Sequence, residues 1–544
     1  LSSGMIKAGK ELPYEIMWWQ TMISLRWLLL VQCCSSDIGS GLRLFEEMIT
    51  RMKAPGPAVA VLWVTAVTLI LTGAWQSMGA EIAPYPSSMM QTASQAVNQI
   101  SVPEGSLSLP LVERLRSILG LAFLVAIAWG LSVDRKNVVW RIVIWGISLQ
   151  ILFAFFILRT DIGANFFDVI NSVMVALLSF TVDGASFIFG NLVYENVPVG
   201  VGTVGQGEFS EMPGQVANTG AFFAFNVLPT IIFFSSLMTV LYHLGIMQLA
   251  VRGMAFVMQR TMGTSGAETM CAAGNIFIGQ TEAPLLIKPF VEKMTMSELM
   301  VVMTGGFATV AGGVLAAYVG LLMAYFPDIA GHLIAASVMS APAALVVAKL
   351  MYPEDGKPET SENLEVSIES SDVNVIDAAA RGASEGLFLA LNVGAMLLAF
   401  VALVYMMNGL LGGLGSLAGI DGLTFERILG WLLSPLAWLM GVSWADAPMV
   451  GSLIGAKTVL NEFYAYLQLA AILGGENDLE PRSIIITIYA LSGFANFMSI
   501  GVQLGGIGGI APSRRHDLAR LGLRAMIAGS IAAFMTATVA GMIL

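Results

Sequence analysis

Four long stretches of this chain carry no charged side chain: between Met212 and Arg252, Glu298 and Asp328, Glu385 and Asp421, and Arg482 and Arg514. Each exceeds the roughly 20 residues with which a helix crosses about 30 Å of hydrocarbon. Charged residues make up only 12% of the whole sequence, against about 25% in soluble proteins. With a mean hydropathy of +0.78, too little polar surface remains to cover a water-exposed fold. These observations imply an all-α polytopic membrane protein.

The net charge of −11 says little about partners. Much of it lies in one segment, where Glu354, Asp355, Glu359, Glu362, Glu365, Glu369, Asp372 and Asp377 face Lys357 alone. Such a run reads as a solvated loop. No basic patch supports nucleic-acid binding. Cys33, Cys34 and Cys271 suggest neither disulfides nor a metal site.

The first 47 residues show no sustained period and carry no functional expectation; they read either as an N-terminal extension or as sequence ahead of a start at Met48. The apolar run Pro57–Trp75 then reads as a membrane helix. Its rival is a signal peptide cleaved near Ser77-Met78-Gly79-Ala80. Further apolar segments fall at about 117–133, 142–158, 216–250, 299–326, 329–349, 386–416, 483–510 and 525–544. Two weaker ones, about 265–290 and 440–466, are broken by Gly, Pro and acidic residues and suit re-entrant hairpins. The stretch 164–195 reads as interfacial or half-buried helix. Basic residues cluster at Arg51 and Lys53, at Arg135, Lys136 and Arg141, and from Arg514 to Arg524. If all three face the cytoplasm, the 80–113 loop and the C-terminus lie outside, with Arg114 and Arg116 dissenting.

Four motifs carry chemistry. In Gly274-Asn275-Ile276-Phe277-Ile278-Gly279-Gln280-Thr281-Glu282-Ala283-Pro284, an amide, a hydroxyl and a carboxylate stand in a row inside an apolar segment. A charge at bilayer depth is tolerated where it faces a wet cavity or a partner. Gly279 and Pro284 interrupt the helix, so consecutive side chains can converge at a hairpin tip. The plainer reading makes Glu282 a structural acid bonded to nearby backbone. In Asn461-Glu462-Phe463-Tyr464-Ala465-Tyr466, the carboxylate can accept two hydroxyl hydrogen bonds, as a ribose would offer; an ion pair with Lys457 is the plainer reading.

In Gly493-Phe494-Ala495-Asn496-Phe497-Met498-Ser499-Ile500-Gly501, Asn496 and Ser499 share a helix face, and Phe494 can supply an aromatic wall if the helix unwinds there. In Met303-Thr304-Gly305-Gly306-Phe307-Ala308-Thr309-Val310-Ala311-Gly312-Gly313-Val314, the glycines permit a break that frees carbonyls. With a hydroxyl, these are the hard oxygen ligands a sodium ion takes. For both, helix packing through small residues is the plainer reading. The run Gly505-Gly506-Ile507-Gly508-Gly509 lacks the strand and βαβ unit of a dinucleotide loop, and reads as close packing or a helix break. Gly306-Phe307-Ala308-Thr309 recurs as Gly493-Phe494-Ala495-Asn496, each after a broken hairpin holding a Glu. Two such units point to a transporter built from repeats, with a site near the midplane.

At these residues the sequence resembles the concentrative nucleoside transporter family, in its bacterial, sodium-coupled type. The likeness runs from Gly263 through Tyr318, resumes at Asn374–Ala380 and at Asn461-Glu462-Phe463, and continues from Gly493 to about Arg524. It covers roughly residues 115 to 544. The resemblance implies a homotrimer whose protomers have a scaffold and a transport domain, with two re-entrant hairpins and inverted repeats. It implies a multi-pass protein of the bacterial inner membrane that imports nucleosides such as uridine, cytidine or adenosine by sodium symport, through an elevator-like alternating-access motion. Residue by residue, it places Gln280, Thr281 and Glu282 at the nucleobase, with Val314 and Phe494 packed against it. Glu462, Asn496 and Ser499 would hold the ribose. Sodium would take the carbonyls of Asn275, Ile278 and Val310 and the hydroxyl of Thr309.

The chain then divides into an extension (1–47), an extra helix or signal peptide (48–80), an outside loop (81–114), N-terminal membrane and interfacial helices (115–260), a first transport half (261–352), an acidic loop with interfacial helix (353–383), a long scaffold helix (384–435), a second transport half (436–513) and a last helix (514–544). Departures from the shortest family members lie before residue 115. Proton coupling is the rival within the class, and a non-transporting receptor is a third reading. An intramembrane enzyme acting on a nucleoside-linked substrate would need Glu282 or Glu462 as base, and His243, His332 and His516 lie in no motif. Enzymatic chemistry is therefore not expected.

Overall fold

The computed structural model describes residues 111–544, except 195, 203–208, 219–222, 361–371 and 476–478. The expectations for the N-terminal extension, the 57–75 helix and most of the 81–114 loop fall outside the described residues, as does the middle of the acidic loop.

In chain order the helices are α1 (Leu111–Gly130), α2 (Trp140–Arg159), α3 (Asp161–Phe189), α4 (Leu228–His243), α5 (Ile246–Met262), α6 (Gly266–Gly274), α7 (Lys288–Val291), α8 (Met296–Ala308), α9 (Gly312–Leu322) and α10 (Ile329–Met351). Then follow α11 (Val375–Leu417), α12 (Phe425–Met440), α13 (Ala447–Val459), α14 (Glu462–Leu473), α15 (Pro481–Leu491), α16 (Phe497–Ile510) and α17 (Arg515–Ile543). Seven helical stretches among the described residues are long and apolar enough to cross a membrane. The 164–195 region is one of them: α3 is a single 29-residue helix, opened by Thr160 whose hydroxyl accepts from the Gly163 amide. Between α3 and α4 lies an antiparallel ribbon, β1 (Asn196–Gly202) with β2 (Phe209–Asn218). Arg116, one of the dissenting charges, donates to the Gly441 carbonyl at 2.8 Å and lies over the Trp438 ring, so packing accounts for its place.

Burial divides the helices. In α10, 89% of the apolar window is buried, whereas α11 has only 17%. A helix apolar all round belongs inside a bundle or against lipid, and the chain has both kinds. α8, α9, α10 and α17 form the interior. α11 turns Phe388, Leu391, Leu398, Tyr405, Leu410 and Leu414 outward and packs on α4. There Gly382 and Gly386, four apart, let the backbones close: a Cβ at Gly386 would lie 2.8 Å from the Ile232 Cα. This is the small-residue packing of membrane helices. The Ser236 hydroxyl adds a bond to the Ala379 carbonyl at 2.9 Å.

The base of the first hairpin is clamped by charge. Ser265 with Glu268 and Thr295 with Glu298 form capping boxes that start α6 and α8. The Ser265 hydroxyl crosses from one box to the other, donating to Glu298 at 2.6 Å. Lys349, near the end of α10, reaches Glu268 at 2.7 Å, Glu354 at 2.9 Å and the Ser297 hydroxyl at 3.0 Å. Burial pushes the Glu354 carboxyl up, but the Lys349 ammonium outweighs it and holds the group below the usual carboxylate range. Its share of the clamp is present at neutral pH and is lost as pH falls through that depressed value. Replacing Lys349 by Met would leave Glu268, 1% exposed, without its countercharge. We expect a loss of about 3–5 kcal/mol, read as a lower unfolding midpoint in detergent and largely recovered by adding Glu268→Gln; an unchanged midpoint would show that the clamp contributes nothing.

Candidate functional site

Two broken helices meet at the centre of the bundle. The first break separates α8 from α9: Thr309 closes α8 in an extended conformation (φ −119°, ψ 169°), and Gly312 opens α9. The second separates α15 from α16, and Asn496 opens α16 as its N-cap, its side chain accepting from the Ser499 amide at 2.9 Å. The repeated tetrapeptide therefore plays opposite parts. Gly306-Phe307-Ala308 finish a helix, whereas Gly493-Phe494-Ala495 are unwound. The breaks touch through backbone: Gly493 has φ +129°, and a Cβ there would stand 2.9 Å from the Phe307 carbonyl oxygen and 3.0 Å from that of Ala308.

Glu462 sits at this crossing, 6% exposed. It opens α14 after a helix interruption, with Asn461 as N-cap accepting from the Tyr464 amide at 2.8 Å. One carboxylate oxygen accepts from the Tyr318 hydroxyl at 2.9 Å and the other from the Asn496 amide at 2.8 Å. Tyr318 is itself held, stacked on Tyr466 at 4.4 Å and edge-on to Phe463; the Tyr466 hydroxyl is anchored on the Ile488 carbonyl. A carboxylate has about four lone-pair directions, so two remain for incoming hydroxyls. The ion pair with Lys457 is not formed: the Lys457 ammonium donates instead to the Ala490 carbonyl at 2.8 Å. Ser499 is buried one turn beyond Asn496. Val314, also buried, lies one turn before Tyr318 on the same face of α9. Phe494, 8% exposed, belongs to the unwound segment.

The first hairpin reaches the same helix from the other side. Its tip residue Gln280 accepts from the Gln503 amide at 2.9 Å. Gly506 leaves room for the Thr281 side chain, whose methyl would stand 2.5 Å from a Cβ there. This close fit is the role of the glycine run, which stays helical. Gln280 and Glu462 thus meet α16 two turns apart, at Gln503 and at Asn496, about 10 Å along the axis. Glu282 is exposed, its carboxylate folded back over Gly279. The tip therefore carries an acid whose nearest contacts are in its own loop.

The two segments that carry the expected ion ligands also touch. The Gly312 amide donates to the Phe277 carbonyl at 3.2 Å, joining the 275–278 loop to the first break. The Thr309 hydroxyl donates its proton to the Gly305 carbonyl at 2.9 Å, which leaves its lone pairs open. Among the described residues, the carbonyls of Asn275, Ile278 and Val310 accept no backbone hydrogen bond, and the buried Asn275 side-chain oxygen has no partner. Freed carbonyls beside an open hydroxyl suit a hard monovalent cation.

Sequence reasoning passed over Tyr318 and Gln503. Both had a signal in helical spacing: Tyr318 follows Val314 by four, and Gln503 follows Ser499 by four.

Comparison with known proteins identifies the family. Family models described as the N-terminus and the C-terminus of Na+-dependent nucleoside transporters match residues 119–192 and 332–541, and a nucleoside-recognition "Gate" model matches 224–325. An uncharacterised transporter of Haemophilus influenzae is 43% identical over 437 residues, 79% of this chain and 97% of the relative. The mouse sodium/nucleoside cotransporter 2 is 39% identical over 445 residues, 79% of this chain and 63% of the relative. The solved structure of CNTnw in an inward-facing substrate-bound state shares 43% identity, covering 79% of this chain and 97% of that one with a TM-score of 0.70. A CNTnw variant in an outward-facing state shares 42% identity, with 80% and 98% coverage and a TM-score of 0.70. The chain therefore belongs to the Na+-dependent nucleoside transporter family, a family of sodium-coupled multi-pass membrane carriers rather than enzymes.

Proposed function

We propose that this chain imports nucleosides such as uridine, cytidine and adenosine across a bacterial inner membrane by sodium symport, as a homotrimer whose transport domains move in an elevator-like manner. The observation that carries this reading is the Glu462 carboxylate, held between Tyr318 and Asn496 where two broken helices cross. A buried carboxylate with lone pairs to spare is built to accept the hydroxyls of a ribose. Asn496 and Ser499 extend the same polar face, Val314 and Phe494 give apolar surface for a base, and Gln280, Thr281 and Glu282 supply polar groups at its edge.

Sodium is the co-transported ion, and the carbonyls of Asn275, Ile278 and Val310 with the Thr309 hydroxyl would hold it. It would tie the 275–278 loop to the first break and so order the three base-reading residues that directly follow. Ion and nucleoside then raise each other's affinity by the same factor. The elevator motion has two supports. α11 and α4 pack closely on each other while α11 leaves most of its apolar window exposed. CNTnw, similar over most of this chain, is known in inward-facing, outward-facing and intermediate states.

In proteoliposomes, radiolabelled uridine and adenosine should accumulate under an inward sodium gradient and not under a proton gradient alone; uptake indifferent to sodium would reject the coupling. Glu462→Gln should weaken uridine binding on the order of 10- to 100-fold, with free uracil remaining a poor ligand, as measured by calorimetric titration. Thr309→Val should raise the sodium concentration for half-maximal uridine binding about tenfold, with binding restored at saturating sodium. A change in maximal binding alone would remove Thr309 from the ion site.

A further inference from the structure

Gln503 lies two turns into α16, wholly buried, and its amide is committed on one side. Its nitrogen donates to the Met303 carbonyl at 3.0 Å and to the Gln280 side-chain oxygen at 2.9 Å. The Met303 carbonyl can only accept, so the Gln503 atom facing it must be the nitrogen. Its own oxygen has no protein partner among the described residues. Turning the amide over could relieve that oxygen only by pressing it against the Met303 carbonyl. With Gln503 locked, Gln280 is locked too: its oxygen must face the Gln503 nitrogen, and its own NH2 is left as the free end. Gly306 seats both amides, since a Cβ there would stand 2.7 Å from the Gln280 Cβ and 2.8 Å from the Gln503 nitrogen.

We propose that Gln503 is a positioning residue that fixes the polarity of the base-reading edge, so that Gln280 presents a donor and the site favours bases with a carbonyl over bases with an amino group at the corresponding ring position. This rests on the nucleoside reading above and sharpens its substrate class. Uracil carries an acceptor at C4 where cytosine carries a donor, and hypoxanthine differs from adenine in the same way at C6. A fixed donor meets an acceptor in the first of each pair and another donor in the second.

The test is equilibrium binding of two matched pairs, uridine with cytidine and inosine with adenosine, at saturating sodium. A 2-pyrimidinone riboside, which bears neither group at C4, serves as control. The unmutated protein should bind the carbonyl member of each pair about five- to tenfold more tightly. In Gln503→Leu, which frees Gln280 to turn over, both ratios should fall to within about twofold, with the control ligand reporting any general loss of affinity. A purely structural role would weaken all five ligands together and leave the ratios intact, and that result would overturn the proposal. Should Gln503→Leu fail to fold, the unmutated ratios still decide, because values near one or inverted also overturn it. Binding of no nucleoside at all would instead remove the functional reading, and this one with it.

Discussion

Inside a bilayer, a backbone N–H or C=O that leaves its helix finds no water, so an interruption survives only where protein covers it. This chain interrupts its helices near 275–287, 309–311, 460–461 and 492–496 and sets the interruptions against one another. The Gly312 amide takes the Phe277 carbonyl, Gly493 rests on the Phe307 and Ala308 carbonyls, and the Asn496 side chain takes Glu462. Each break is thus partly the cover of another. The carbonyls left over beside Thr309 accept no backbone hydrogen bond among the described residues, which is the need a bound cation would meet.

The two acids of the site are prepared differently. Glu462 is braced from behind by a stacked tyrosine pair and a fixed carboxamide, an arrangement that sets its geometry before any ligand arrives. Glu282 has no comparable support: it stands exposed at the tip of a short, irregular hairpin whose single turns are covered by Gly506 and Gly312. One acid is thus held by side chains from two other helices, whereas the other rests against its own loop.

Much of this could be read from the chain. Three of the four charge-free runs hold candidate spans, while the run between Arg482 and Arg514 holds two short helices and the second break; glycine pairs marked the first break, and an acid in an apolar setting marked Glu462. The spacing of Asn496 and Ser499 suggested a shared helix face, whereas Asn496 is the extended N-cap whose side chain accepts from the Ser499 amide. What local spacing could not supply was the partner at long range. Tyr318 lies 144 residues from Glu462, and Lys457, the near neighbour in sequence, turns to the Ala490 backbone carbonyl instead. Nor could the tetrapeptide repeat reveal that one copy ends a helix while the other precedes one; that depends on the capping side chain, Thr309 in one and Asn496 in the other. The glycine run after Ser499 was open between close packing and a break, and the Thr281 side chain over Gly506 decides for packing.

The length of α11 has a consequence for how that helix can lie in a bilayer. Its charge-free portion, residues 386–417, is about 48 Å long at about 1.5 Å per residue, against about 30 Å of hydrocarbon. Held within that layer it must lie steeply oblique, with its two ends offset sideways by some 35–40 Å. Lipids that meet its exposed apolar side chains near one end then lie far to the side of those that meet the other end in the opposite leaflet.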